Sequence, residues 1–156
     1  MKISGKYKIE IIDKDTGETE IIKLDNMLMN INRSIHVSLL AGTFQTDGFN
    51  IDDLDIKYFA FGNSDEPAAV TQKTLVNELF RKQITSKSKG VNRVQSIVSL
   101  TTNEANFNIK EIGVFAGSNA TMQANSGIMI SRVVVDIQKF ENKIVNITRD
   151  DLVDIN

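Results

Sequence analysis

Apolar and polar residues alternate with a period of two along much of the chain. At 6–12, KYKIEII, residues Tyr7, Ile9 and Ile11 fall on one side and Lys6, Lys8 and Glu10 on the other, the pattern of a half-buried strand. DKDTGE at 13–18 supplies turn chemistry: Asp side chains bond nearby backbone, and Gly17 is free to take positive φ. TEIIKL at 19–24 returns as the partner strand, so a short N-terminal hairpin is expected over 6–24. The period then changes. In DNMLMNINRSIHVSLLAG, Leu28, Ile31, Ile35 and Leu39 recur at helical spacing, which predicts one amphipathic α-helix over about 28–41. Asn30 or Asp25 suits its N-cap and Gly42 its C′ position.

Period two resumes downstream. IKYFAFG at 56–62 is dense and apolar, as in a strand buried on much of both faces. A long connection holding the single proline leads to LVNELFRKQITSKSKG, where 75–80 fits a helical turn but Phe80, Lys82 and Ile84 alternate; a strand over about 78–87 is expected. Further strands are expected at 91–102, 106–115, 128–137 and 143–148, with a small-residue loop at 116–127 and an acidic tail at 149–156 that docks or frays. About eight strands and one helix suggest a mainly β, antiparallel two-sheet sandwich, and 156 residues suit a single domain spanning 1–156.

Composition narrows the chemistry. A net charge of −2 and a pI near 5.4 give no basic surface for nucleic acid. Zero cysteines exclude disulfides and thiolate sites. No apolar run reaches the roughly 20 residues that span a bilayer, and the N-terminus lacks a leader pattern, so neither membrane insertion nor secretion is expected. His36, the single histidine, lies beside the helical stripe with no second ligand cluster. The acidic loop 42–55 departs from the spacing that wraps calcium, and a hairpin turn accounts for DKDTG, so no metal and no cofactor are assigned. No nucleophile stands beside a base and no Gly-rich phosphate loop is present; no catalytic residues are assigned, and the chain reads as a non-enzyme.

One stretch resists the simple alternation. In NFNIKEIGVF, every second residue from Phe107 gives Phe107, Ile109, Glu111, Gly113 and Phe115, which places a carboxylate among core positions. A buried charge persists only when paired and hydrogen-bonded. Two placements follow. In one, Glu111 pairs inside the sandwich or at its rim with Arg81, the neighbour in a three-strand meander, with Glu78 competing for the arginine. In the other, a β-bulge near Lys110–Glu111 turns Glu111 to solvent and Ile112 and Val114 inward.

The order of segments resembles the N-terminal virion-attachment region of phage tail-fibre and tail-collar proteins. A strand ending in Ala60-x-Gly62 leads through a loop to Leu75-x-Asn77-Glu78-x-x-Arg81 and then to Glu111-Ile112-Gly113-Val114-Phe115. The resemblance covers about residues 5–150, including the hairpin and the helix that follows it. It implies a structural role: a tail component of fibre, collar or baseplate, assembled in the host cytoplasm into the virion. It also implies docking to other virion proteins and homo-oligomers, as trimers or a ring. Leu28, Ile31, Ile35 and Leu39 of the helix and Asp151 and Leu152 of the tail are the candidate inter-subunit contacts. Two other readings are a carbohydrate-binding module and a head–tail completion or stopper protein. With no Trp and with both tyrosines at strand positions, the sequence offers few sugar platforms.

Overall fold

The computed structural model describes residues 2–154 apart from 26, 47 and 52. Its elements run β1 (Lys2–Asp13), β2 (Thr19–Asp25), β3 (Met27–Leu28), α1 (Ile31–Leu40), β4 (Gln45–Thr46), β5 (Phe49–Asn50) and β6 (Ile56–Gly62). There follow β7 (Glu78–Gln83), β8 (Ser86–Lys89), β9 (Arg93–Leu100), β10 (Asn108–Ala116), β11 (Ile128–Gln138) and β12 (Lys143–Asp154). The fold is mainly β with one short helix and three antiparallel sheets. Two sheets have five strands, ordered β2-β1-β12-β9-β8 and β3-β11-β10-β6-β7, and β4-β5 form a two-stranded ribbon. The expected eight strands therefore become twelve among the described residues, several of them only two residues long.

Alternation places one set of apolar side chains between the two large sheets. Tyr7, Ile9, Ile11, Val98, Leu100, Val145 and Ile147 of the first sheet share a buried cluster with Phe59, Phe61, Ile109, Ile112, Val114, Val133 and Ile137 of the second. Burying a side chain of this size contributes roughly 1.5–3 kcal/mol, so this shared layer is the main reason the sheets stay together. A smaller cluster lies on the other face of the second sheet, where Met29, Leu75 and Ala120 cover Ala60, Phe115 and Met129.

Arg149 brings a charge into the inter-sheet layer. Its fully buried guanidinium donates from Nη1 to Tyr7 Oη at 3.2 Å and to Ser131 Oγ, and Tyr7 and Ser131 hydroxyls lie 2.9 Å apart. Asp151 accepts from Arg149 Nη2 at 2.5 Å. Burial opposes the charge, but Tyr7 and Asp151 more than offset it, and the pKa of Arg149 lies above the ordinary arginine value.

Several expectations need correction. The helix covers Ile31–Leu40 rather than 28–41, because Leu28 is taken by pairing with Ser131 of β11 and Met29 N–H donates to Ile130 O. Asn30 is the N-cap but makes no side-chain cap bond, while Gly42 does sit past the end at φ 71°. The strand expected at 78–87 divides at a corner: Ile84 N–H still bonds Lys57 O of β6, whereas Thr85 N–H already bonds Ile97 O of β9. So β7 belongs to one large sheet and β8 to the other. The acidic segment 149–154 is no tail but the second half of β12, paired with β1 at Tyr7↔Arg149 to Lys2↔Asp154 and with β9. Its last residues, 155 and 156, lie outside the described residues.

Candidate functional site

The segments singled out in the sequence meet on the outer face of the second sheet. β10 pairs with β6 in the register Glu111↔Gly62, Gly113↔Ala60 and Phe115↔Tyr58, so these residues share that face. Their neighbours Ile112 and Val114 point the other way, into the inter-sheet core. The register of β10 on β11 slips between Ile109 and Glu111, which moves Ile109 and Ile112 onto one side and releases Glu111 to the other.

Glu111 nevertheless stays dry. Its side chain is 0 % exposed because the 63–77 connection lies across it. Oε2 accepts from Val76 N–H at 3.0 Å, and Oε1 accepts from Asn77 N–H at 2.8 Å. The counter-charge is Arg132 on β11, whose Nε donates to Oε2 at 2.9 Å. Arg132 also donates from Nη1 to Glu66 O at 2.9 Å and Gln72 Oε1 at 3.3 Å, tying the connection down at a second place. The expected Glu111–Arg81 pair is thus replaced by Glu111–Arg132. β6 stands between β10 and β7, so Arg81 is two strands away, whereas Arg132 is on the adjoining strand, diagonal to Glu111 on the same face. The alternative placement was right about the inward Ile112 and Val114 and wrong about solvent.

Two glycines make this approach possible. A Cβ on Gly62 would stand 2.3 Å from Asn77 O and 2.3 Å from Glu111 Oε1. A Cβ on Gly113 would stand 2.8 Å from Leu75 Cδ2. The motif residues therefore form one device: Gly62 leaves room for the carboxylate to reach the 76–77 backbone, and Gly113 seats Leu75.

Arg81 serves an adjacent job. It faces outward from β7 and grips Glu78 with two bonds, Nε to Oε1 at 2.5 Å and Nη2 to Oε2 at 3.0 Å. Its Nη1 donates to Thr121 O at 2.8 Å and Ser126 O at 3.0 Å, and Asn125 N–H donates to Glu78 Oε2 at 2.8 Å. The guanidinium lies over the Phe115 ring, 4.5 Å from its centroid, and 5.6 Å from that of Tyr58. This pair holds the 117–127 loop as Glu111–Arg132 holds the 63–77 connection.

The expected contact residues scatter. Ile35 is buried against Ile51 and Ile128, which removes it from any surface, and Ile31 is partly buried beside it. Leu28 and Leu152 are half-buried strand residues, and Asp151 is occupied by Arg149. Leu39 is exposed, together with Val37, Leu40 and Phe44, which the helical stripe did not include. His36 lines a shallow groove with Ile3, Arg33 and Val70. Arg132, Arg149 and Lys139 were missed entirely. The signal for Arg132 was a lone cation interrupting the apolar run IMISRVVV.

Among the described residues no group of three or more His, Cys, Asp or Glu side chains is placed to hold a metal ion, and no helix is long and apolar enough to cross a membrane. Asp47 and Asp52 of the acidic loop lie outside the described residues; Asp53 pairs with Lys57 and Asp55 with Lys87. Compared with protein-family models, curated proteins and solved structures, the chain matches none.

Proposed function

We propose that the chain is a non-enzymatic structural component of a phage tail, an adaptor of fibre, collar or baseplate that docks through protein–protein contacts as a homo-oligomer. The observation that supports this most is the use of the charged motif residues and of the buried Arg132. Glu111, Arg132, Glu78 and Arg81 spend their bonds on the chain's own connections, at 63–77 and 117–127, and stiffen the outer face of a sheet. A stiffened face with two tied-down loops suits docking, where preorganisation reduces the ordering cost of association. The exposed apolar side chains Val37, Leu39, Leu40 and Phe44 offer contact area beside it. The carbohydrate-binding alternative has weaker support: Tyr7 is buried in the core and Tyr58 lies beneath Arg81.

Light scattering coupled to size-exclusion chromatography tests the reading. Purified chain should elute at a multiple of 17.4 kDa, and Leu40→Asp, at a residue 78 % exposed, should return it to one copy without loss of fold. A chain that stays monomeric at high concentration and binds glycans on an array would favour the sugar-binding alternative.

A further inference from the structure

The buried cations do not all have the same kind of partner. Arg81, Arg132 and Arg149 each meet a carboxylate. Lys139, also 0 % exposed, meets an amide: its Nζ donates to Asn106 Oδ1 at 2.7 Å and to Phe140 O at 3.3 Å. The two residues flank the same end of a strand pair. Asn108↔Gln138 is the last register pair of β10 and β11, Lys139 N–H extends it by bonding Phe107 O, and Asn106 lies just beyond.

The Asn106 amide is held at both ends, since Nδ2 donates to Thr102 O at 2.8 Å. Its backbone is fixed in a tight turn, with Phe107 N–H bonded to Ala105 O across it. Ala105 is buried at φ 52°, a left-handed conformation uncommon for a residue with a side chain. Strain of this kind persists where surrounding contacts over-determine it. Here it presents one carboxamide to one lysine.

We propose that Lys139 and Asn106 join in an intramolecular amide cross-link, formed by the chain itself with release of ammonia. The lysine Nζ, as free amine, attacks Asn106 Cγ; the new N–C bond forms, the Cγ–Nδ2 bond breaks, and Nδ2 departs. Starting from the ammonium, two protons pass from Nζ to Nδ2, ammonium leaves, and no oxidant or reductant is needed. Asn106 is exposed, which opens a path to solvent for the leaving group. Burial lowers the pKa of Lys139, against an opposing pull from the Glu104 charge, and so favours the nucleophilic free amine. The carboxylate whose charge acts on Lys139 is Glu104, and it is assigned the relay of those protons. Its Oε2 accepts from Lys82 Nζ at 2.7 Å and Thr101 N–H at 2.9 Å. Desolvation opposes its charge, but these bonds outweigh it and hold its pKa below the ordinary carboxylate value, so it is ionised and carries no proton of its own. The product would covalently close the open end of the β10–β11 pair, opposite the 117–127 connection.

Intact-mass spectrometry of the purified, folded chain decides the matter. The cross-linked chain should weigh about 17 Da less than its sequence, and a tryptic digest should contain one joined species carrying both Asn106 and Lys139. Asn106→Ala and Lys139→Arg should each restore the full mass, and Glu104→Gln should slow the loss at least tenfold during incubation at pH about 8. A wild-type chain that keeps its full sequence mass after that incubation overturns the proposal, and needs no variant to fold. So does a mass loss that maps to an asparagine cyclised elsewhere in the chain. A Glu104→Gln chain that reacts at the wild-type rate overturns the proton-relay role.

Discussion

Glu111 and its neighbours show how a single buried charge organises a connection. Removing one partner of a buried, hydrogen-bonded pair leaves the other uncompensated and costs about 3–5 kcal/mol. Arg132→Met should lose about that much in urea unfolding, because Glu111 then keeps only the Val76 and Asn77 amides. A double-mutant cycle distinguishes the two arginines. Glu111→Gln with Arg132→Met should show coupling of about 0.5–3 kcal/mol, whereas Glu111→Gln with Arg81→Met should be additive within about 0.5 kcal/mol. Additivity in the first cycle would contradict the assigned pair. The glycines differ in the same way. Gly62→Ala drives a methyl into the fixed Asn77 carbonyl and should cost at least 1–3 kcal/mol, roughly the range for overpacking. Gly113→Ala meets side chains, Leu75 Cδ2 at 2.8 Å and Phe115 Cε2 at 3.1 Å, rather than fixed backbone, so its unfolding midpoint should fall less.

At the scale of elements, short polar segments are held by side chains reaching from strands. The 117–127 loop hangs on Arg81, whose planar fork serves Glu78 and two loop carbonyls together. Arg81→Lys keeps the charge but not the fork. Hydrogen exchange at 117–127 should accelerate in that variant while the β1 and β12 amides stay protected; uniform acceleration would mean that the loop has no separate latch. The β1–β2 turn depends on Asp13, whose Oδ1 accepts from the Asp15 and Thr16 amides. Those bonds hold its pKa below 3.8, against a smaller desolvation effect and with help from Asn142 and Lys143. The stabilisation is therefore present above the unfolded-state value and disappears as pH falls through the lower folded value. An acid titration of unfolding should show this loss below pH 3.8, and Asp13→Asn should remove it.

At the scale of the molecule, the two large sheets are joined by an apolar layer and by a buried polar bridge within it. Tyr7 and Arg149 belong to the first sheet and Ser131 to the second, and all three meet inside. Tyr7→Phe removes the hydroxyl from this bridge and leaves its partners short of a bond, which should cost about 1–3 kcal/mol by chemical denaturation. A neutral result would mean that Arg149 and Ser131 satisfy one another alone. The same bridge explains why 149–154 is ordered strand: its charges are used within the sandwich-like body. Val37, Leu39, Leu40 and Phe44 remain exposed, and the proposed association is assigned to them.

Local patterning alone determined the hairpin, the existence and last turn of the helix, and the β character of nearly every later segment. Tyr7, Ile9 and Ile11, or Gly42 past the helix, needed only period and turn chemistry to be read. Partnership was not local. Whether Glu111 met Arg81 or Arg132 depended on β6 lying between β10 and β7, and whether its face was dry depended on a connection 35 residues away in sequence. The corner at Ile84–Thr85 and the strand made of an acidic tail were likewise decided by which backbone groups found free partners. Side-chain periodicity encodes which way a residue faces; only tertiary pairing settles what it faces, because strand order joins groups that no sequence window contains.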